Sequence, residues 1–158
     1  MMSTNRVDPG AEEPVVLRPL EQGDAGSVGE LIVQLGYDRP VTEVEQWIAS
    51  LADRPETQVA FVACLGAEIV GWIEASVEMR LQARPFTLIG GLVVRNGVRG
   101  RGIGRSLCEQ VELWSQQRGI DTVRVTSRSS REDAHRFYKR DGYQHTKTSL
   151  VFEKKLHG

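Results

Sequence analysis

The chain has 158 residues, enough for one domain, and its 40% hydrophobic and 26% charged residues are ordinary for a soluble globular protein. A formal net charge of −1 and the absence of any ~20-residue apolar run predict neither a nucleic-acid partner nor a membrane. Cys64 and Cys108 lack CxxC spacing and paired histidines, which argues against disulfides or a metal site and favours the cytoplasm. Residues 1–13 are polar, and we predict a disordered tail there, ahead of a single domain over residues 14–158.

The first part of this domain predicts one strand followed by two helices. Residues 15–17 are apolar, and the segment 15–18 ends at a proline, which is typical of a short strand. Apolar residues then recur at helical spacing from Asp24, a good N-cap, as far as Gly36. Thr42 and Glu45 have the spacing of a capping box, so a second helix is predicted to begin at Thr42.

Three strands are predicted in the middle of the chain. Residues 59–64 and 69–77 are apolar segments joined by a short turn containing a glycine, which predicts an antiparallel pair. Residues 78–85 are polar and include a proline, so we expect a connecting loop there. Residues 86–94 are almost continuously hydrophobic, which is typical of a central strand.

Helices and strands alternate in the last third of the chain. A helix over residues 106–118 has one apolar face, and a strand over residues 122–126 follows it. A short helix over 131–140 and a final strand over 149–153 complete the prediction. A helix that joins the strand at 86–94 to the strand at 122–126 predicts a right-handed parallel crossover within a mixed sheet, and so an α/β fold.

Residues 99–105 have the sequence Arg-Gly-Arg-Gly-Ile-Gly-Arg and lie between a predicted strand and a predicted helix. A glycine-rich turn at the start of a helix directs N–H groups and the positive end of the helix dipole at one place. Small glycines let the backbone close around an anion, and arginines neutralise it. No acidic residue lies between Arg95 and Arg105. We therefore predict that this loop holds a phosphorylated ligand.

Two common phosphate-binding loops do not fit these residues. Gly100, Gly102 and Gly104 are evenly spaced, whereas the dinucleotide fingerprint needs Gly-x-Gly-x-x-Gly after the first strand of its unit. A nucleotide-hydrolysing P-loop needs a lysine after its last glycine, and there is no lysine between Cys64 and Lys139. The pattern that remains is Arg-x-x-Gly-x-Gly.

With Arg99, Gly102 and Gly104 at the fixed positions of that pattern, the chain resembles the GNAT acetyltransferase superfamily. Residues 134–143 are similar to the family's Ala-x-x-Phe-Tyr-x-x-x-Gly-Phe/Tyr element, and residues 150–156 are similar to its last strand. The resemblance implies a single-domain α/β fold with a mixed, mostly antiparallel sheet, splayed central strands and flanking helices.

The resemblance also implies acetyl-coenzyme A as cosubstrate, with its pantetheine arm between the splayed strands. Main-chain groups of Leu92, Val93 and Val94 would pair with this arm like an added strand, and an N–H near Leu92 or Val94 would polarise the thioester carbonyl. Ser127 and Arg131 are further candidate contacts, with a role in the first turn of the next helix as the alternative for each. The residues expected to hold the diphosphate are Arg99, Gly100, Arg101, Gly102, Ile103, Gly104 and Arg105.

The implied reaction is direct attack of a primary amine on the thioester in a ternary complex. Tyr138 matches the family tyrosine placed near the sulfur and would donate a proton to the leaving thiolate. Many relatives carry a glutamate base where this chain has Leu88. Glu74 is the candidate base instead, with Glu78 as a second choice, acting directly or through water. A water relay without a dedicated base, and a merely solvated role for both glutamates, stay open.

The acceptor is expected to be an amine on a small molecule or a peptide, and a homodimer through the final strands is left open. An alternative function is a non-catalytic module that senses acyl-coenzyme A, in which the missing strand glutamate marks a loss of activity. A nucleic-acid function has little support, because the chain has no second basic surface with interleaved aromatic residues.

Overall fold

A computed structural model of the protein describes residues 13–98 and 100–157. Most of the predicted disordered tail lies outside these residues, as does Arg99. The chain divides into two compact units, with the division between Val125 and Thr126. The prediction of a single domain over residues 14–158 stays a prediction.

The first unit holds a five-stranded sheet in the order β1-β2-β3-β4-β5. The first four strands pair as antiparallel neighbours, while β4 and β5 run parallel. This arrangement confirms the predicted mixed, mostly antiparallel sheet with one parallel crossover. The strands are β1 (Val15–Pro19), β2 (Gln58–Leu65), β3 (Glu68–Arg80), β4 (Ala83–Val94) and β5 (Val123–Val125).

Three of the four helices flank this sheet, and the fourth lies in the second unit. They are α1 (Ala25–Leu35), α2 (Val41–Leu51), α3 (Ile103–Gln117) and α4 (Glu132–Arg140). On one face of the sheet, apolar side chains of α1 and α2 form a core with Trp72 and Val93. On the other face α3 packs closely, since a Cβ on Gly71 of β3 would lie 3.1 Å from side-chain atoms of α3. A buried hydrogen bond of 2.7 Å between Thr87 and Ser115 joins β4 to α3 on that face.

Asp24 is the N-cap residue of α1, as predicted, whereas the predicted cap of the second helix is wrong. The Asp24 carboxylate makes no cap hydrogen bond to α1; it accepts two hydrogen bonds from Arg18, at 2.7 and 2.8 Å. These bonds hold the pKa of Asp24 below its usual range. The helix predicted to begin at Thr42 starts at Val41 with Pro40 as its N-cap, and no side chain caps it. In both cases a residue with capping chemistry has another partner or another place in the helix.

Two other segments differ from their predictions. The predicted loop over residues 78–85 is mostly strand, because β3 and β4 form a long hairpin with only residues 81 and 82 between them. The predicted final strand over 149–153 is absent from the described residues, and Val151 and Phe152 are each 88% exposed. A strand forms only where its N–H and C=O groups pair with a neighbour, and no pairing involves this segment.

Cys64 and Cys108 are both buried, as predicted for packing residues, and neither forms a disulfide. In the part of the chain that the structure describes, no group of histidine, cysteine and acidic side chains is arranged to hold a metal ion. Helix length and apolarity in the described residues fall short of what a bilayer-crossing segment needs.

Candidate active site

A β-bulge interrupts the pairing of the two central strands at Gly90. Glu74 of β3 lies opposite Gly91, while the next residue, Ala75, lies opposite Ile89, so Gly90 is the extra residue. The β4 backbone at the bulge lies so close to side chains of β3 that glycine fits there best. A Cβ on Gly91 would lie 2.8 Å from the Trp72 ring, and a Cβ on Gly90 would lie 3.0 Å from Oε1 of Glu74. The bulge therefore places the Glu74 carboxylate directly against the backbone of β4.

The bulge also sets which main-chain groups of β4 face away from β3. The Arg95 N–H donates to the Val70 carbonyl at 2.7 Å, which fixes the hydrogen-bonding phase of the two strands. In this phase the N–H and C=O of Val93 face β3, whereas those of Leu92 and Val94 face the β5 side. The predicted main-chain contact of Val93 with the pantetheine arm stays a prediction, and this phase favours Leu92 and Val94 for such contacts.

The β5 side of β4 is open beyond the bulge. Pairing with β5 covers only residues 87–89 of β4, although β4 continues to Val94. Such splaying leaves the outward groups of Leu92 and Val94 facing a gap between the strands. One of these groups is already engaged, because the Val94 carbonyl accepts a hydrogen bond of 2.8 Å from the Gln34 side chain. The expected added strand of cosubstrate thus has an open edge to pair with at Leu92.

The glycine loop reaches α3 through residues in the left-handed conformation. Gly100 has φ of 89° and Gly102, the N-cap of α3, has φ of 72°. No side chain caps the helix, and its first internal hydrogen bond runs from the Ser106 N–H to the Gly102 carbonyl. The N–H groups of Ile103 and Gly104 lie ahead of this bond at the positive end of the helix dipole. These residues fit a diphosphate.

The arginines of this loop have partners within the protein. Arg101 donates to the Glu13 carbonyl at 2.6 Å. Arg105 forms an ion pair with Glu109 one turn along α3, at 3.1 Å. The contact of Arg105 is with a carboxylate one turn along the helix, whereas that of Arg101 is with a neutral main-chain carbonyl. A phosphate on this loop would be held mainly by backbone N–H groups, with the arginine side chains around it.

Sequence reasoning missed Gln34, which connects α1 to the start of the glycine loop. Its amide donates to the Val94 carbonyl at 2.8 Å, and its carbonyl oxygen accepts from the Asn96 N–H at 3.0 Å. The same side chain therefore holds both the end of β4 and the first residues of the loop. A lone polar residue on a helix carries no local signal of such a role.

Glu74 projects from the face of β3 that also carries Trp72, Ser76, Glu78 and Arg80, here called the Glu74 face. Helices α1 and α2 bury the Trp72 end of this face, and Glu74 is half-buried next to it. Burial raises the pKa of the Glu74 carboxyl, and the positive charge of Arg39 opposes part of that rise. A half-buried carboxylate of raised pKa has the properties of a general base.

The two other residues weighed for the base lie further along the same face. The Glu78 carboxylate accepts a hydrogen bond of 2.9 Å from Ser76. Leu88, at the position where the resemblance implied a glutamate, lies opposite Ser76 and is half-buried. Of the three positions, Glu74 is the one in contact with the bulge.

Tyr138, Ser127 and Arg131 all lie in the second unit. The Tyr138 ring packs edge-on against Phe137 and Tyr143, with ring centroids 5.2 and 5.8 Å apart. Arg131 is the N-cap of α4, and its carbonyl accepts the His135 N–H at 3.1 Å. The Ser127 hydroxyl is buried without a hydrogen-bond partner among the described residues. Their predicted contacts with the cosubstrate stay predictions.

The family model described as the acetyltransferase (GNAT) family matches residues 29–143. Since this match spans most of the chain, the protein belongs to the GNAT acetyltransferase family. The predicted enzyme class is thereby confirmed: an acyltransferase that transfers an acetyl group from acetyl-coenzyme A to an amine.

The chain is also similar to individual acetyltransferases. Aminoalkylphosphonate N-acetyltransferase of Salmonella typhimurium strain LT2 is 34% identical over 84 residues, and the match spans only about half of either protein, 52% of this chain and 54% of the relative. The aminoglycoside N(6')-acetyltransferase type 1 of Stenotrophomonas maltophilia is 26% identical over 147 residues, or 89% and 93% of the two chains. The crystal structure of an aminoglycoside antibiotic 6'-N-acetyltransferase of Acinetobacter baumannii superimposes with a TM-score of 0.78 at 19% identity, covering 91% of this chain and 100% of that one. This last likeness confirms the fold.

Proposed function

We propose that the protein acetylates the primary amine of a small molecule by direct attack on acetyl-coenzyme A in a ternary complex. One observation carries the proposal: the first unit places an uncapped helix N-terminus, an open strand edge and a half-buried carboxylate in sequence along β4. The helix N-terminus suits the diphosphate of the cosubstrate. The open strand edge suits its pantetheine arm and thioester, and the carboxylate suits the proton of the amine.

The cosubstrate would lie along the open side of β4. Backbone N–H groups from Gly100 to Arg105 would hold the diphosphate, and the Leu92 N–H and C=O would pair with the pantetheine arm. The outward N–H of Leu92 or Val94 would stabilise the negative charge that develops on the thioester oxygen. A donor of this kind is worth about 3 kcal/mol in other acyl-transfer enzymes.

Glu74 would take the proton that the attacking amine must lose. An alkylamine has an unperturbed pKa of about 10 and arrives protonated at neutral pH. A carboxylate with a raised pKa accepts this proton directly or through water. The position of Glu74 against Gly90 supports this role, because the bulge lies next to the open edge where the thioester would be held.

The Tyr138 hydroxyl would donate a proton to the departing thiolate. We expect Tyr138→Phe to lower kcat by about a hundredfold or more, since a positioned acid contributes roughly 10²–10⁴. The KM for acetyl-coenzyme A is expected to change little, because the diphosphate contacts lie elsewhere. Steady-state kinetics of thiol release measures both quantities, and a wild-type kcat would remove this role.

The acceptor is proposed to be a small amine, because the named relatives are N-acetyltransferases of aminoalkylphosphonates and aminoglycosides. We also propose a peptide amine as an alternative acceptor and a homodimer as the assembly of the protein. Two buried cysteines that form no disulfide suit a reducing compartment, and we propose the cytoplasm.

Release of coenzyme A thiol, measured with acetyl-coenzyme A and a panel of small amines, tests the function. Amine-dependent thiol release, with the acetylated amine found by mass spectrometry, is the expected result. Binding of acetyl-coenzyme A by calorimetry without turnover of any amine would favour the alternative, a non-catalytic sensor. Absence of binding would overturn both.

A further inference from the structure

Two arginines cover one buried phenyl ring at the far end of the Glu74 face. The guanidinium carbons of Arg80 and Arg124 lie 5.1 and 4.0 Å from the centroid of the Phe86 ring. The ring is only 2% exposed. Stacking on an aromatic ring fixes the position of a guanidinium group and leaves its N–H groups in its own plane available to a ligand.

These two positive charges have no acidic partner in the structure. Across residues 13–98 and 100–157, neither guanidinium forms an ion pair or a hydrogen bond. Arg84 of the same hairpin, in contrast, lies 3.9 Å from Asp121. Glu78 is opposite Phe86 in the sheet, but its carboxylate accepts from Ser76. Two cations within 5.1 Å of one ring centroid repel each other, and an anion that contacts both would relieve that repulsion.

The phosphates of the cosubstrate are too distant to be this anion. Phe86 lies eight residues before Val94 on β4, which is about 26 Å along an extended strand. The glycine loop and the start of α3 lie beyond Val94. The arginine pair is therefore separate from the diphosphate site, at the opposite end of the same strand.

The arginine pair instead shares a surface with Glu74. Glu78, opposite Phe86, is four residues from Glu74, or about 13 Å along β3. Ser76 and Leu88 lie between the two ends and are half-buried. A molecule whose amine reaches Glu74 can therefore extend along this face to the arginine pair.

We propose that Arg80 and Arg124 bind an oxyanion at the end of the acceptor remote from its amine. The group is a phosphate, phosphonate or carboxylate, the anions that guanidinium groups bind best. The inference rests on the proposed function, and it makes the acceptor a long amine with an anionic end. The spacing favours a chain longer than a short aminoalkylphosphonate.

Matched acceptors test the proposal in the full-length protein. Aminooctylphosphonate is compared with aminooctanol, which lacks the anion, and with aminoethylphosphonate, which is too short; aminooctanoate tests the carboxylate. We expect the long phosphonate to have the lowest KM. Arg124→Met keeps an apolar side chain over Phe86 and is expected to raise that KM about tenfold, with kcat unchanged. The KM for aminooctanol is expected to stay the same.

Arg84→Met is the matched control, because Arg84 is an exposed arginine of the same hairpin that pairs with Asp121. It should leave every KM unchanged, while Arg80→Met should behave like Arg124→Met. Equal KM values for the long phosphonate and the alcohol would overturn the inference and leave the proposed function intact. An Arg124→Met variant that raises the KM of both acceptors equally would overturn it too, because the arginine would then not act through the anion. Failure of the wild-type protein to acetylate any amine would remove the proposed function, and this inference with it.

Discussion

Gly102→Ala is expected to weaken coenzyme A binding by about a hundredfold or more. The residue has φ of 72°, a left-handed conformation that costs an L-amino acid roughly 1–2 kcal/mol. Relaxation to negative φ would turn the peptides that direct the N–H groups of Ile103 and Gly104. Two hydrogen bonds to a charged group, at about 1.5–3 kcal/mol each, account for a loss of this size. Titration calorimetry with coenzyme A measures the Kd.

Gly119→Ala is the matched control for this prediction. Gly119 has the same φ of 72° and follows the other end of α3, and an added Cβ has nothing within 4 Å at either glycine. Both variants should therefore lose similar amounts of folding free energy, and only Gly102→Ala should lose affinity. Normal affinity in Gly102→Ala, or equal losses of affinity in both, would contradict a diphosphate site on this loop.

Glu74→Gln is expected to lower kcat by roughly 10²–10³, the contribution of a positioned base. Burial raises the pKa of Glu74, so the wild-type kcat/KM should fall as the pH drops through a value above the usual carboxylate range. The variant should lose this acidic limb and follow the ionisation of the amine itself. The KM for acetyl-coenzyme A should hold, because the glutamine still fits against Gly90.

The same raised pKa predicts the effect of the change on stability. A carboxyl whose folded pKa is raised binds its proton more tightly in the native state than in the unfolded state. The carboxyl stabilises the native state fully when the pH is below its pKa in the unfolded chain. This stabilisation is lost as the pH rises through its pKa in the folded protein. At neutral pH the charged Glu74 therefore opposes folding, and Glu74→Gln should unfold at an equal or higher temperature than the wild type.

Glu78→Gln provides the comparison for both measurements. Glu78 lies on the same face of β3 but accepts its hydrogen bond from Ser76, away from the bulge. Its substitution should preserve kcat and the acidic limb. A Glu74→Gln variant with the wild-type rate and pH profile would show that water, without a dedicated base, removes the proton.

Local patterns were enough to predict most of the fold. Alternation and helical spacing gave the strands and helices of the first unit, because one face of each element is buried. The polar residues 78–85 misled the prediction, since a long hairpin carries polar side chains on a solvent-facing surface and is still a strand. The apolar segment at 149–153 misled it in the opposite way, because its own sequence does not say whether a partner strand is available.

The candidate site could be proposed from the sequence where its chemistry is local. The glycine loop stands out by its spacing, and Glu74 is the acidic residue on the neighbouring strand. The phase of the β4 amides was not predictable, because it depends on a bulge set by the register of two strands. The roles of Gln34 and of the Arg80–Phe86–Arg124 stack were not predicted either, because each depends on contacts between residues far apart in the sequence.

The extra residue at Gly90 makes β4 intolerant of a change in length. Deleting one residue between Ile89 and Leu92 would let the two strands pair without interruption, and the sheet could still form. Leu92 and Val94 would keep their register with β3, but the close approach of the Glu74 carboxylate to the β4 backbone at Gly90 would be lost. Such a protein would keep its sheet, but the proposed base would lose its place beside the open edge of β4. Natural variation in strand length is therefore expected to accumulate at the hairpin tip, near Leu81 and Gln82.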